Sequence, residues 1–228
     1  MRDVWDGAAV EWDSAEIEPG MRLHYGVAGE GERVIVLVHG YPETAYAWRR
    51  VVPLLVRAGF RVVVPDCRGA GGASKPPGGY DKHTMAGDLH ALLYGHLGLT
   101  QPVTMVGHDI GMMVAYAFAR RFQEQTERLV AMEAPLPGTD AYQTALGDTD
   151  RLWHFQFHRA PDVPELLTAG REQLYLSVST RISPTTRRPS VRTRSNATCE
   201  PSRDRARCGP GSSSTAPSRP MTRTTEPR

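Results

Sequence analysis

The stretch Val103-Thr104-Met105-Val106-Gly107-His108-Asp109-Ile110-Gly111-Met112 decides the fold. A mainly apolar run leads in, and an apolar, Ala-rich segment from Met112 to Phe122 leads out. That order reads as strand, sharp turn, helix. Glycines flank the middle residue because such a turn strains the backbone and brings strand and helix close enough for a β-carbon to obstruct them. The turn lifts one side chain onto the end of the strand, at the N-terminus of the following helix. The pattern is G-x-Nu-x-G, and its nucleophile position holds Asp109, not Ser. The plainer alternative is a Gly-rich turn with a capping Asp.

An Asp at this point changes the chemistry. A carboxylate is already ionised at neutral pH, and a helix N-terminus favours the anion further. It can attack an sp³ carbon that carries a good leaving group, forming an alkyl ester. Water must then cleave that ester at the Asp carbonyl, which requires a general base. Epoxides and alkyl halides suit this chemistry, and it needs neither a metal nor an organic cofactor.

The chain has 228 residues and a net charge of +2, but the charge is unevenly spread. Of the 51 residues from Val178 to Arg228, 36 are Arg, Ser, Thr or Pro, and 11 Arg against three acids give this stretch +8. The preceding part therefore carries −6, so the overall basicity says nothing about a nucleic-acid partner for the domain. Cys67, Cys199 and Cys208 form no disulfide framework. The start, Met1-Arg2-Asp3-Val4-Trp5-Asp6, lacks the apolar core of a signal peptide, and no stretch is apolar enough to span a membrane. A cytoplasmic protein with no membrane partner is expected, and its oligomeric state is left open.

Strands and helices alternate along the chain. Ala8 to Trp12 and Arg22 to Val27 read as short strands around the turn Glu18-Pro19-Gly20. Val34 to Val38 is continuously apolar, as a strand buried on both faces should be. A helix starting at Glu43 or Thr44 carries Trp48, Val52, Leu55 and Val56. Arg61 to Val64 form another strand, a helix runs from about Thr84 to Leu97, and a last strand covers Arg128 to Met132. The expected fold is α/β: a mostly parallel sheet flanked by helices, residues 1–138, followed by the start of a helical cap over 139–177 and a disordered tail over 178–228.

Val36-Leu37-Val38-His39-Gly40-Tyr41-Pro42-Glu43-Thr44, then Asp66-Cys67-Arg68-Gly69, then Gly107-His108-Asp109-Ile110-Gly111 occur in the order and spacing of the α/β-hydrolase superfamily. Up to about Ser177 the chain resembles its epoxide hydrolase and dehalogenase branch. The resemblance implies Asp109 as nucleophile and the backbone N–H groups of Tyr41 and Ile110 as the oxyanion hole during ester hydrolysis. It also implies an epoxide hydrolase, with a haloacid or haloalkane dehalogenase as the alternative enzyme. Haloalkane dehalogenases generally place Trp directly after the nucleophile, and fluoroacetate-type dehalogenases place Arg there and again shortly beyond. Here Ile110 and Met113 occupy those positions, so a small apolar epoxide fits better than a haloacid.

Arg151-Leu152-Trp153-His154-Phe155-Gln156-Phe157-His158 falls where the family's cap begins. Epoxide hydrolases usually supply a tyrosine at the place of His154, which some dehalogenases fill with His. His154 is thus a candidate donor to an oxygen or halide, with plain cap packing as the alternative. Phe155 beside it and Trp48 are candidate pocket residues, Trp48 having core packing as its other role. His158 reads as structural or exposed.

The family also needs a second acid and a water-activating His, both after the cap. This chain offers there only Glu200, Asp204 and Glu226, and no His beyond His158. The resemblance therefore implies impaired turnover, or a catalytically dead fragment. Back-translated and read in a shifted frame, Val178 to Arg187 can give Phe-Tyr-Pro-Asp-Phe-Ala-Tyr-Asp-Pro, which resembles cap sequences of the family. A frameshift near Ser177 is the expected origin of the tail.

Overall fold

The computed structural model describes residues 1–148 and 152–182. One mixed sheet holds seven strands in the order β1-β2-β3-β5-β4-β6-β7. They are β1 (Arg2–Trp5), β2 (Ala8–Glu18), β3 (Met21–Ala28), β4 (Val34–Val38), β5 (Arg61–Pro65), β6 (Val103–His108) and β7 (Thr126–Met132). β5, β4, β6 and β7 pair in parallel, as the alternation of elements requires. β1, β2 and β3 form an antiparallel extension, joined to β5 by β3. The turn between β2 and β3 falls at Pro19 and Gly20, where Gly20 has φ +77°. β1 is not apparent in the sequence, because only Trp5 of its four residues is buried.

Helices cover the parallel part. Thr44 caps a 3₁₀ segment, Ala45–Arg50, which leads into α1 (Val52–Arg57). Asp81 caps α2 (Lys82–His90), accepting the Thr84 N–H at 2.9 Å. A π-helical stretch, Ala91–His96, continues it. α3 (Ile110–Arg121) follows the elbow and buries Met112, Met113, Val114, Ala115, Ala117 and Phe118. Val36, Val38, Met105, Leu89, Leu93 and Phe118 meet in one core layer. Trp5, Ile35, Leu37, Trp48, Val52 and Val62 form another. Every residue of β4 is buried, as its unbroken apolar run demands.

Arg68 and Asp88 brace the loop after β5. Two 2.6 Å hydrogen bonds run from the guanidinium to the carboxylate, and the side chains are only 5% and 7% exposed. Those hydrogen bonds hold the Arg68 pKa above its ordinary value.

Among the described residues beyond β7 there are four helices: α4 (Asp140–Gly147), α5 (Trp153–Arg159), α6 (Val163–Thr168) and α7 (Glu172–Ile182). α7 passes the expected boundary at Ser177. The rest of the expected tail, with Cys199 and Cys208, lies outside the described residues. Among the described residues no helix is long and apolar enough to cross a membrane.

Candidate active site

Asp109 sits between β6 and α3 with φ 52° and ψ −128°, a conformation that L-residues rarely adopt. The turn is held from several sides. The Asp109 N–H donates to Met132 O at 3.1 Å, and the Met112 N–H donates to Asp109 O at 2.9 Å. A β-carbon on Gly107 would lie 2.5 Å from Met112 Cα, and one on Gly111 would strike the Val38 and His39 carbonyls. The two glycines are therefore required by close approach of backbone to backbone.

The second wall is the turn after β4. The Tyr41 N–H donates to Asp109 Oδ2 at 2.9 Å, so one carboxylate oxygen is already held by a backbone donor. Gly40 lies directly against the nucleophile: a β-carbon there would come within 2.7 Å of Asp109 Cβ. His39, fully buried, supports this turn from below. The Cys67 N–H donates to His39 Nε2 at 3.0 Å, so the ring proton is on Nδ1, which donates to Gly40 O at 2.8 Å. Glu43 accepts the Gly40 N–H at 3.1 Å and faces His108 Nδ1 at 3.4 Å. Asp66 accepts the Ala45 and Gly72 N–H groups at 2.8 and 2.9 Å, fixing the following segment.

His108 contacts Glu43 and Glu133, and the Asp109 charge also acts on it. Its Nε2 lies 3.1 Å from Glu133 Oε2. Partial burial lowers its pKa, but the Glu133 and Glu43 carboxylates outweigh that and leave it raised. Glu133 follows β7 directly, with φ 54°, at the same end of the sheet as the elbow. Sequence reasoning missed this acid because it sought a second carboxylate only after the cap. The signal was available: an acid directly follows an apolar strand, as Asp66 follows β5.

The sequence candidates divide. Ile110 opens α3, so its N–H is among the helix's unpaired first donors. Met113 and Met112 are buried, giving the elbow an apolar flank. His154 comes near enough to Asp109 for the carboxylate charge to act on it. Burial lowers the His154 pKa, and the Asp109 charge opposes that. Phe155 packs edge-on against His154, with ring centres 4.9 Å apart. Trp48 is 8% exposed in the core layer with Ile35 and Val52, and its buried indole Nε1 has no hydrogen-bond partner among the described residues. Of the remaining histidines, His24 stacks on Trp12, His90 bonds Gln125 and His96 bonds Tyr25.

His158, read from the sequence as structural or exposed, meets Tyr175 beside Tyr41. His158 Nε2 lies 2.7 Å from the Tyr175 hydroxyl and 3.4 Å from the Tyr41 hydroxyl. Among the described residues no group of three or more His, Cys, Asp or Glu side chains is arranged to hold a metal ion.

The chain is similar to several known proteins. A soluble epoxide hydrolase of Corynebacterium sp. (strain C12) is 44% identical over 119 residues, which is 52% of this chain and 40% of that protein. Epoxide hydrolase A of Mycobacterium tuberculosis is 37% identical over 138 residues, 57% of this chain and 42% of that protein. Among solved structures, Cfl2 of Burkholderia cenocepacia superposes with a TM-score of 0.63 at 39% identity, covering 74% of this chain and 57% of that one. The epoxide hydrolase CorEH gives 0.63 at 36% identity, covering 73% and 58%. The chain thus spans less than half the length of these two curated relatives. Residues 33–219 match the family described as the alpha/beta hydrolase fold. With the parallel strands, the strained Asp elbow and the opposing Tyr41 donor, the match is decisive: the chain belongs to the α/β-hydrolase fold family.

Proposed function

We propose that this chain carries the nucleophilic half of an epoxide-opening hydrolase. The observation that carries the reading is the hold on Asp109: Oδ2 accepts the Tyr41 N–H, so Oδ1 is the oxygen that attacks. Oδ1 forms a bond to an epoxide carbon while the C–O bond at that carbon breaks. The electron pair goes to the leaving oxygen, which takes a proton from His154 or water. Oδ2 becomes the ester carbonyl oxygen. When water attacks the ester carbon, the Tyr41 and Ile110 N–H groups stabilise the charge that develops on Oδ2. The apolar flank of Met112 and Met113 supports a small apolar epoxide, as do the epoxide hydrolases among the relatives. An alkyl halide would react by the same first step, with halide as leaving group.

The second step needs a base to activate water. Glu133 stands where a carboxylate could orient an imidazole, yet the described imidazole it bonds is that of His108, inside the β6 motif. The first step is thus better provided for than the second. We place the break near Ser177, where the coding DNA in another frame would continue the family pattern. A cytoplasmic setting accords with the buried, unpaired thiol of Cys67.

The test is intact-mass spectrometry with peptide mapping after exposure to styrene oxide. The expected result is one covalent adduct, at Asp109, without steady-state diol formation. An adduct elsewhere overturns the nucleophile assignment, and multiple turnover overturns the missing base. Parallel incubation with an alkyl halide, reading halide release, separates the two substrate classes.

A further inference from the structure

Tyr41 is engaged at both ends. Its backbone N–H holds Asp109 Oδ2, while its phenol reaches up to the helices after β7. There its ring stands edge-on to His158, with centres 5.0 Å apart and planes at 71°. The Tyr175 hydroxyl, from α7, bonds the same His158 nitrogen at 2.7 Å. The Tyr175 ring also packs on Phe157 and Trp153 of α5, at 5.6 and 6.3 Å. Three elements far apart in the chain therefore converge on one imidazole nitrogen: the turn after β4, α5 and α7.

We infer that Tyr41, His158 and Tyr175 form a polar clasp by which α5 and α7 grip the turn carrying the oxyanion donor. Tyr41 is then a positioning residue, passing the seating of these helices to the N–H that holds Asp109. The chemistry of the three groups fits. Burial, and then Tyr175, push the Tyr41 pKa up to about 12, so its phenol keeps its proton. Burial and then the neighbouring His154 lower the His158 pKa, against the charge of Glu165, which favours the neutral imidazole; with its proton on Nδ1, Nε2 accepts. Tyr175 supplies a short hydroxyl donor from the other side. The groups facing His158 are thus Tyr41, Tyr175, His154 and Glu165. Tyr41 and His158 keep solvent-facing surface, Tyr41 at 41% exposed, so each bond is worth the lower part of the usual range.

This clasp bears on reactivity only through Asp109 as nucleophile and rests on that reading, but its existence does not, and the experiment separates the two. The variants Tyr41→Phe, Tyr175→Phe, His158→Phe and His158→Gln are made in the full chain. Two readouts are taken: amide hydrogen exchange of peptides spanning 153–159 and 172–178, and the dependence of Asp109 alkylation on styrene oxide concentration. Removing one hydroxyl should speed exchange in those peptides by about twofold to fivefold. His158→Phe should do at least as much, whereas His158→Gln, which keeps an acceptor, should restore part of the protection. The half-saturating epoxide concentration should rise by the same factor in the variants that lose the clasp. Unchanged exchange in both Tyr175→Phe and His158→Phe overturns the clasp, as does a failure of His158→Gln to protect better than His158→Phe. Altered exchange with no alkylation of Asp109 in any form keeps the clasp and overturns the nucleophile.

Discussion

Gly40→Ala tests the site more sharply than removing the nucleophile, because it leaves every reacting group in place. The added β-carbon would lie 2.7 Å from Asp109 Cβ and 3.1 Å from Oδ2. Carbon atoms in contact settle at about 3.5–4.0 Å, so the turn and the elbow must part by about 1 Å. Neither side yields readily. Asp109 is fixed by the Met132 carbonyl and the Gly107 and Gly111 packing, and Gly40 by His39 and Glu43. Parting them lengthens the 2.9 Å bond from the Tyr41 N–H beyond hydrogen-bonding range. A misplacement of about 1 Å commonly costs about 10²-fold in rate. The expected result is an alkylation rate at Asp109 about 100-fold lower, measured by quenched-flow mass spectrometry against styrene oxide. Gly95→Ala is the control, since its β-carbon meets nothing within 4 Å. Circular dichroism must show the same fold in both. Alkylation of Gly40→Ala within threefold of the parent chain would refute the assignment of the opposing wall.

Asp109→Ala should abolish the covalent adduct, while His154→Ala should slow its formation by only about tenfold, a single hydrogen bond to the leaving oxygen; mass spectrometry at fixed times distinguishes them. Asp88→Ala should lower stability by about 3 kcal/mol in urea titrations, because it leaves the buried Arg68 guanidinium with the longer bonds to Gly78 O and Glu18 Oε1. Replacing both partners by Leu and Met should recover most of that loss. The helices after β7 should loosen on acidification. His154 and His158 have folded pKa values below the ordinary 6.5, so their contribution is present above pH 6.5 and is lost as pH falls towards those lower values. Protease sensitivity of 153–178 should therefore rise between pH 7 and pH 5, and His154→Gln with His158→Gln should flatten that change.

The elbow was legible because its constraint is local. Gly107 and Gly111 reserve space for backbone within five residues of one another, and no distant contact is needed to see why. β4 and β5 were legible for a similar reason, their unbroken apolar runs leaving no exposed face. The π-helical stretch after α2 was not, since Ala91 to His96 carries the same residue types as an ordinary helix turn. Nor was the gathering of Tyr41, His158 and Tyr175, which lie 117 and 17 residues apart along the chain. Glu133 lay between these extremes. Its place at a strand end could be read, but its left-handed backbone and its bond to His108 arise only when β6 and β7 pair.

The sheet ends in a short edge and a longer one. At the first, the four-residue strand β1 closes the antiparallel extension with Arg2 and Asp3 turned to water. At the other, β7 is the last strand among the described residues, and its outer row of N–H and C=O groups has no ladder partner there. Val130, on that strand, is 44% exposed. Such an edge is polar in direction as well as in charge. A strand added parallel to β7 delivers its C-terminal end beside Met132 and Glu133, next to the elbow; one added antiparallel delivers its N-terminal end there. The sense of that pairing, whichever chain supplies it, decides which residues Asp109 would gain as neighbours.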